Sequence, residues 1–346
     1  MSRRLLTLIP LFGSVLASCG PRGPRALTVM THDSFAVSET VAAAFEAEND
    51  VTLRFLASGD AGEAVNKAVL AAGNPLADVF YGLDNTFLSR ALEAGIFEAY
   101  ESPLLGQIPD SFELDPGHHA LPVDYGDVCL NYDRAYFADR GLEPPGSLED
   151  LLRPEYRSLL VVENPAASSP GLAFLLATVG HFGEDGYLDF WEGLRENDVL
   201  VVNDWEAAYR TEFSGSSGGG PRPIVVSYGS SPPFEVMFSP EPLEEAPTAA
   251  VVSDGSCFRQ IEFVGILRGT ENRELAEAWV DFMLSVPFQE DLPLQMYVFP
   301  VNSEAGLDEI FARYLAIPEH PAFVSPEAIA ANRETWIEAW TETVLR

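Results

Sequence analysis

The feature that most constrains the fold is a repeated order: a short apolar β-rich run, a polar loop, then a segment with helical periodicity. Ala26-Leu-Thr-Val-Met-Thr31 reads as a strand ending in His32-Asp-Ser-Phe35, and the helix after it sets Val41, Ala44 and Phe45 on its apolar face. Val51-Thr-Leu-Arg-Phe-Leu56 is a second strand. Ser58-Gly-Asp60 then precedes a helix from Ala61 to Ala72, with Asp60 placed to cap it. Ala77-Asp-Val-Phe-Tyr81 is a third strand, opening into Gly82-Leu-Asp-Asn85 and a helix to Ala94. Such alternation predicts a doubly wound, mostly parallel sheet, in which ligands sit beyond the carboxyl ends of the strands. Asp33, Asp60 and Asp84 all fall at such ends.

The order recurs later. Leu159-Leu-Val-Val-Glu163 leads into Asn164-Pro-Ala-Ala-Ser-Ser-Pro-Gly171 and an apolar helix from Leu172 to about Val179. Val199–Val202 leads into Asn203-Asp-Trp205 and a short helix through Tyr209; Ile224–Tyr228 leads into Gly229-Ser-Ser-Pro232. Ser169-Pro170 and Ser231-Pro232 each read as an N-cap serine followed by proline at the first helical position, so that free N–H groups face one cleft. Ser214-Gly-Ser-Ser-Gly-Gly-Gly-Pro221 has the composition of a surface loop. Gln260–Ile266 is expected to be a return strand, Asn272 to Leu284 an amphipathic helix, and Tyr297–Val301 a last extended piece. In a C-terminal helix over about Pro326 to Val344, Trp336 and Trp340 stand at i, i+4, a spacing that suits core packing.

Between the two series lies Leu121-Pro-Val-Asp-Tyr-Gly-Asp-Val-Cys-Leu-Asn-Tyr-Asp133, long enough to cross from one α/β lobe to another. It would bring Asp124 and Tyr125 to the mouth between the lobes; taken alone it also suits an ordinary buried strand. Trp205, in a polar turn, is either a stacking platform or a lid on the core.

The 346 residues suit two domains, and 47% hydrophobic content suffices for two cores. The chain opens on Arg3-Arg4, an apolar run Leu5 to Leu16, and Ala17-Ser18-Cys19, the layout of an export signal. Leu16-Ala17-Ser18-Cys19 also resembles the bacterial lipobox, whose cysteine is acylated after cleavage, with Gly20–Arg25 as linker. Loss of residues 1–18 would leave 18 basic against 53 acidic side chains, a net charge of −35, with Lys67 the only lysine. That charge argues against nucleic acid or an anionic membrane surface as partner. Cys129 and Cys257 could pair in an exported protein or remain buried thiols. The five histidines lack metal-ligand spacing, and there is no C-x-x-C, no phosphate-binding loop ending in lysine and no Gly-x-Ser-x-Gly elbow. Neither a resident cofactor, a metal nor catalysis is expected.

Seven motifs occur in order: Thr31-His-Asp-Ser-Phe35, Gly82-Leu-Asp-Asn85, Asp124-Tyr-Gly126, Ser168-Ser-Pro-Gly171, Trp205-Glu-Ala-Ala-Tyr209, Tyr228-Gly-Ser-Ser-Pro232 and Trp336-Ile-Glu-Ala-Trp340. Together they resemble the thiamine-binding periplasmic proteins, the solute receptors of thiamine ABC transporters, from about residue 27 to the C-terminus. The resemblance implies a two-lobed type II periplasmic-binding fold closing on thiamine or its phosphates. It further implies a permease and an ATPase as partners, and an exported, lipid-anchored location in the periplasm or at the outer face of the cytoplasmic membrane. The division expected is 1–18 signal, 19–25 lipid-anchored linker, 26–121 plus about 262–300 as one lobe, and 122–261 plus about 301–346 as the other. Ligand contacts implied are Asp60, Ala61, Ser168, Ser169, Trp205, Tyr228, Gly229, Ser230 and Ser231. Asp33, Asp84, Asp124, Tyr125 and Tyr297 are further candidates, and Cys19 is the lipid-attachment site. His32 stands where the family has tyrosine, Ala61 where it has glycine, and Tyr297 where it has tryptophan. Alternatives are a receptor of the same fold for a polyamine or ferric iron, and an exported hydrolase.

Overall fold

A computed structural model describes residues 25–59, 61–215 and 219–346; the expected export signal, the lipobox with Cys19, and Asp60 lie outside these residues. The strands are β1 (Arg25–Thr31), β2 (Val51–Ala57), β3 (Val79–Asp84), β4 (Phe97–Glu98), β5 (Leu121–Asp133), β6 (Leu160–Glu163), β7 (Leu200–Val202), β8 (Ile224–Tyr228), β9 (Thr248–Val251), β10 (Phe258–Leu267) and β11 (Phe299–Pro300). They form one continuous path, β2-β1-β3-β10-β5-β8-β6-β7, with β4, β9 and β11 alongside it. The outer parts are parallel, β2 and β3 on β1, β7 and β8 on β6, as the strand–helix order predicts. The middle is not. Long β5 and β10 run antiparallel to each other and join the two parallel halves.

A parity change in β5 explains how one strand serves both lobes. Leu121, Val123 and Tyr125 turn to a core built around Leu27, Phe80, Trp279 and Phe288. Val128, Leu130 and Tyr132, of opposite parity, turn to a second core of Phe174, Trp191, Trp336 and Trp340. Successive strand residues point to opposite faces. Asp124 is therefore turned away from the first core at the point where the strand passes between lobes. Trp336 and Trp340 are both buried, and Trp340 packs edge-on against Trp191 at 5.4 Å. An aromatic side chain buries about 150–250 Å², worth about 4–6 kcal/mol gross, so these two rings fasten the C-terminal helix Pro326–Val344 to the second core.

Local readings hold where caps are strong and fail where tertiary contacts intervene. The first helix, Glu39–Asn49, is capped by Ser38, and Phe45 is buried; Ala44 is exposed, so the apolar stripe is narrower than expected. Proline-bearing Val286–Met296 is helical, with Pro293 inside it, and places Tyr297 as its left-handed C-cap (φ 63°) rather than in a strand. Cys129 and Cys257 form a disulfide between neighbouring β5 and the residue preceding β10.

Candidate functional site

The site begins with a lateral row of acids. Antiparallel register sets Glu262 of β10 opposite Asp84 of β3 on one side and opposite Asp124 of β5 on the other. Like charges directly opposite one another are destabilising, and burial makes the repulsion stronger. The surrounding groups relieve it in part. Tyr81 Oη lies 2.6 Å from Asp124 Oδ2 and 2.9 Å from Glu262 Oε2. One phenolic proton can serve only one of these contacts at a time. Burial, then Glu262, pushes the Asp124 carboxyl well above the usual range, although Tyr81 pulls it down.

His32, at the end of β1, sets Nε2 3.2 Å from Glu262 Oε1, while the Ser34 N–H points at its Nδ1 (3.1 Å). Burial disfavours the imidazolium, but Glu262, Asp84 and Asp33 outweigh it and raise the His32 pKa. Glu262 responds in kind: burial would raise it, and His32, Tyr81 and Asp124 hold it below the usual carboxylate value. Asp84 accepts from Thr86 N–H and Oγ1 at 2.7 and 2.5 Å, yet burial carries its pKa to about 6. As the pH rises through about 6, Asp84 ionises beside Glu262, while the His32 imidazole lies against Glu262 on the other side. Arg333, from the C-terminal helix, stacks on the Phe87 ring (4.3 Å) and exerts only a weaker pull on Asp84.

A second group of side chains is aromatic and hydroxylated. Trp205 is half-buried, lies parallel to Tyr209 (5.0 Å, 12°), and donates from Nε1 to Ser227 Oγ at 2.9 Å. Ser227 Oγ is in turn 2.9 Å from Ser231 Oγ. Residues Ala207–Glu212 form a wide π-helical turn, a local form frequent at functional sites. Tyr228 crosses above Gly126, where an added Cβ would come within 3.2 Å of the ring, and its hydroxyl points to Gln260. Burial raises the Tyr228 pKa, followed by the charges of Glu262, Glu163 and Asp84, so the phenol lies within the field of acids from both sides of the cleft.

The expected site residues thus fall into groups. Asp84 and Tyr228 share one electrostatic neighbourhood with Glu262, to which Asp124 is also coupled, and Trp205 and Ser231 are joined through Ser227. Gly229 donates its N–H to the Asp127 carbonyl, fixing the turn that carries Ser230 and Ser231. Asp33 holds the loop before Ala61 by accepting from Gly59 N–H (2.8 Å). Tyr297 lies across the helix Ser231–Met237, 4.4 Å from the Phe234 ring. Tyr125 departs from expectation. Strand alternation turns it from Asp124 to the other face, where it packs on Phe112 and Phe299 under Arg259. The serine caps shift by one residue. Ser168 caps the helix Ser169–Phe182, whereas Ser169 is its first residue. Ser230 holds the cap position of Ser231–Met237 without a side-chain bond, because that helix begins directly from the tight turn after β8.

Tyr81, Glu262, Gln260, Ser227 and Glu163 were absent from the expected set. Glu262 carried a signal, a lone acid inside the apolar run Ile261–Leu267. Ser227, within Val-Val-Ser-Tyr, carried none.

Comparison with known proteins follows the same lines. The chain matches bacterial extracellular solute-binding proteins over residues 74–314. It is 30% identical to a thiamine-binding periplasmic protein of Salmonella typhimurium, over 92% of this chain and 94% of that one. A solved periplasmic thiamin binding protein superposes with a TM-score of 0.77 at 28% identity, covering 94% of this chain and 99% of its own. Iron-bound HitA of Pseudomonas aeruginosa shares the fold alone, with a TM-score of 0.74 at 16% identity, covering 92% of this chain and 99% of its own. The match over most of its length, on a sheet joined by crossing strands, makes this chain a member of the bacterial extracellular solute-binding protein family.

Proposed function

We infer that this protein captures thiamine, and thiamine phosphates, between its two lobes and delivers it to an ABC import permease with its ATPase. The observation that carries the reading is the row Asp84–Glu262–Asp124 whose field reaches Tyr228, next in the chain to the Ser227 that holds Trp205. A permanent cation relieves repulsion in that row. A flat aromatic ligand finds ring faces opposite, worth about 0.5–2 kcal/mol for a cation over an aromatic ring. Thiamine combines the two, a thiazolium cation and an aminopyrimidine plane, and the names of the full-length relatives support the choice. Asp60, Ala61, Ser168, Ser169 and the turn Tyr228–Ser231 complete the proposed contact set, with the hydroxyethyl arm or its phosphate near the start of the helix Ser169–Phe182.

In this reading the lobes comprise 26–121 with about 262–300, and 122–261 with about 301–346. Their closure about β5 and β10 forms the surface read by the permease. An export signal over 1–18 and acylation of Cys19 would tether the receptor at the outer face of the cytoplasmic membrane.

Titration calorimetry of the mature protein is the test. Thiamine should bind with a Kd below about 1 μM, or about −8 kcal/mol. Heat with putrescine or Fe(III) and none with thiamine or its phosphates overturns the assignment.

A further inference from the structure

Six carboxyl side chains are buried among the described residues: Asp78, Asp84, Asp115, Asp124, Asp127 and Glu163. Five of them accept hydrogen bonds, from the Thr28 amide, Thr86, the 117–120 turn, Tyr81 and Arg259 respectively. Glu163 does not. It is 1% exposed, and neither Oε1 nor Oε2 has a hydrogen-bond partner. An unmet buried polar group is costly, so a site that retains one has a use for it.

Its position indicates the use. Glu163 ends β6, at the carboxyl edge of a parallel strand where ligands of such sheets sit. It shares a face with Val161, which packs with Ala208, Tyr209 and Val225 under Trp205. Parallel pairing of Val161 with Val225 places Ser227, the partner of Trp205 Nε1, beside it in register. Burial holds the Glu163 carboxyl well above its ordinary pKa; its own backbone N–H works against this and Asp204 pushes it further up. A neutral carboxyl is one O–H donor beside one carbonyl acceptor.

We propose that Glu163 is a specificity-determining residue of the cleft, reading an amidine-type edge, a ring nitrogen beside an exocyclic amino group, on the flat ring stacked at Trp205. The carboxyl O–H donates to the ring nitrogen and the amino N–H donates to the carboxyl oxygen, satisfying both orphaned atoms at once. The aminopyrimidine of thiamine has that edge, and to this extent the inference rests on the thiamine reading. Desaminothiamine, with hydrogen in place of the amino group, lacks that N–H donor and leaves one carboxyl oxygen unmet.

Calorimetry with thiamine and desaminothiamine on wild type, Glu163→Gln and Glu163→Ala tests it, with melting temperatures recorded to confirm folding. Wild type should prefer thiamine by about tenfold or more. Glu163→Gln, whose amide offers the same donor and acceptor, should stay within about threefold of wild type. Glu163→Ala should lose about ten- to a hundredfold for thiamine and most of the preference over desaminothiamine. A wild-type preference ratio retained in Glu163→Ala overturns the proposal, and so does a glutamine variant as weak as alanine, which would mean that charge is what matters. A wild type that binds neither compound overturns the thiamine reading and this one with it, whereas wild-type binding with an unchanged ratio overturns this one alone.

Discussion

Replacing Asp84 with asparagine should make the ligand-free protein more stable at neutral pH and a poorer receptor. Asp84 is buried opposite Glu262, and its pKa rises from the ordinary 3.8 to about 6, chiefly through burial. A carboxyl whose pKa rises on folding is favoured in its protonated form. Its stabilising contribution is therefore complete below 3.8 and is lost as the pH rises through about 6. A shift of about two units at 1.36 kcal/mol each makes ionised Asp84 a burden of about 3 kcal/mol at pH 7. The same linkage leaves only about 1 kcal/mol at pH 4.5. Asparagine keeps an acceptor for Thr86 and turns an amide donor toward Glu262. Urea unfolding of the apo protein should thus show Asp84→Asn more stable by up to about 3 kcal/mol at pH 7 and by about 1 kcal/mol or less at pH 4.5. Binding should move the other way. Wild-type affinity for thiamine should fall by about tenfold from pH 7 to pH 5 as Asp84 protonates, and the asparagine variant should be weak and flat across that range. A variant no more stable than wild type at pH 7, or stabilised equally at both pH values, would refute the reasoning that Asp84 is held ionised at a cost for the sake of a cation.

Three further outcomes are expected. The Cys129–Cys257 bond closes a loop of 128 residues around most of the second core, so Cys129→Ala/Cys257→Ala should lose about 2–5 kcal/mol in urea unfolding, and a loss under about 1 kcal/mol would show that the bond constrains little. Trp205→Ala should weaken thiamine binding by about 1–3 kcal/mol in calorimetry with little change in melting temperature; lost stability with unaltered affinity would make Trp205 a core residue instead. Cys19→Ser should abolish incorporation of labelled lipid and move the protein from the membrane to the soluble fraction, and an unlabelled, soluble wild type would leave only a plain export signal.

Much of this protein was legible along the chain, because the relevant physics is local. Period-2 and period-3.6 patterns place most strands and helices, and the serine caps expected at Ser169 and Ser231 fall within one residue of those positions. Strand ends carrying Asp84, Trp205 and Tyr228 were visible for the same reason, and motif order pointed to the family. Tertiary structure alone decided the rest. Glu262 meets Asp84 and Asp124 only because β10 returns between β3 and β5, across 178 and 138 residues of chain. That register, which no local pattern encodes, turns three unremarkable acids into one charged row. Alternation on β5 sent Tyr125 to the opposite face from Asp124, and the choice of face depended on where each core lay. The two cysteines became a disulfide through the pairing of two distant strands. Glu163 looked like any strand-end acid until packing removed water from both its oxygens and supplied nothing in return. Sequence governs which backbone conformations are cheap at each residue, whereas the pKa of a buried acid depends on every charge and dipole that folding brings within a few ångströms of it.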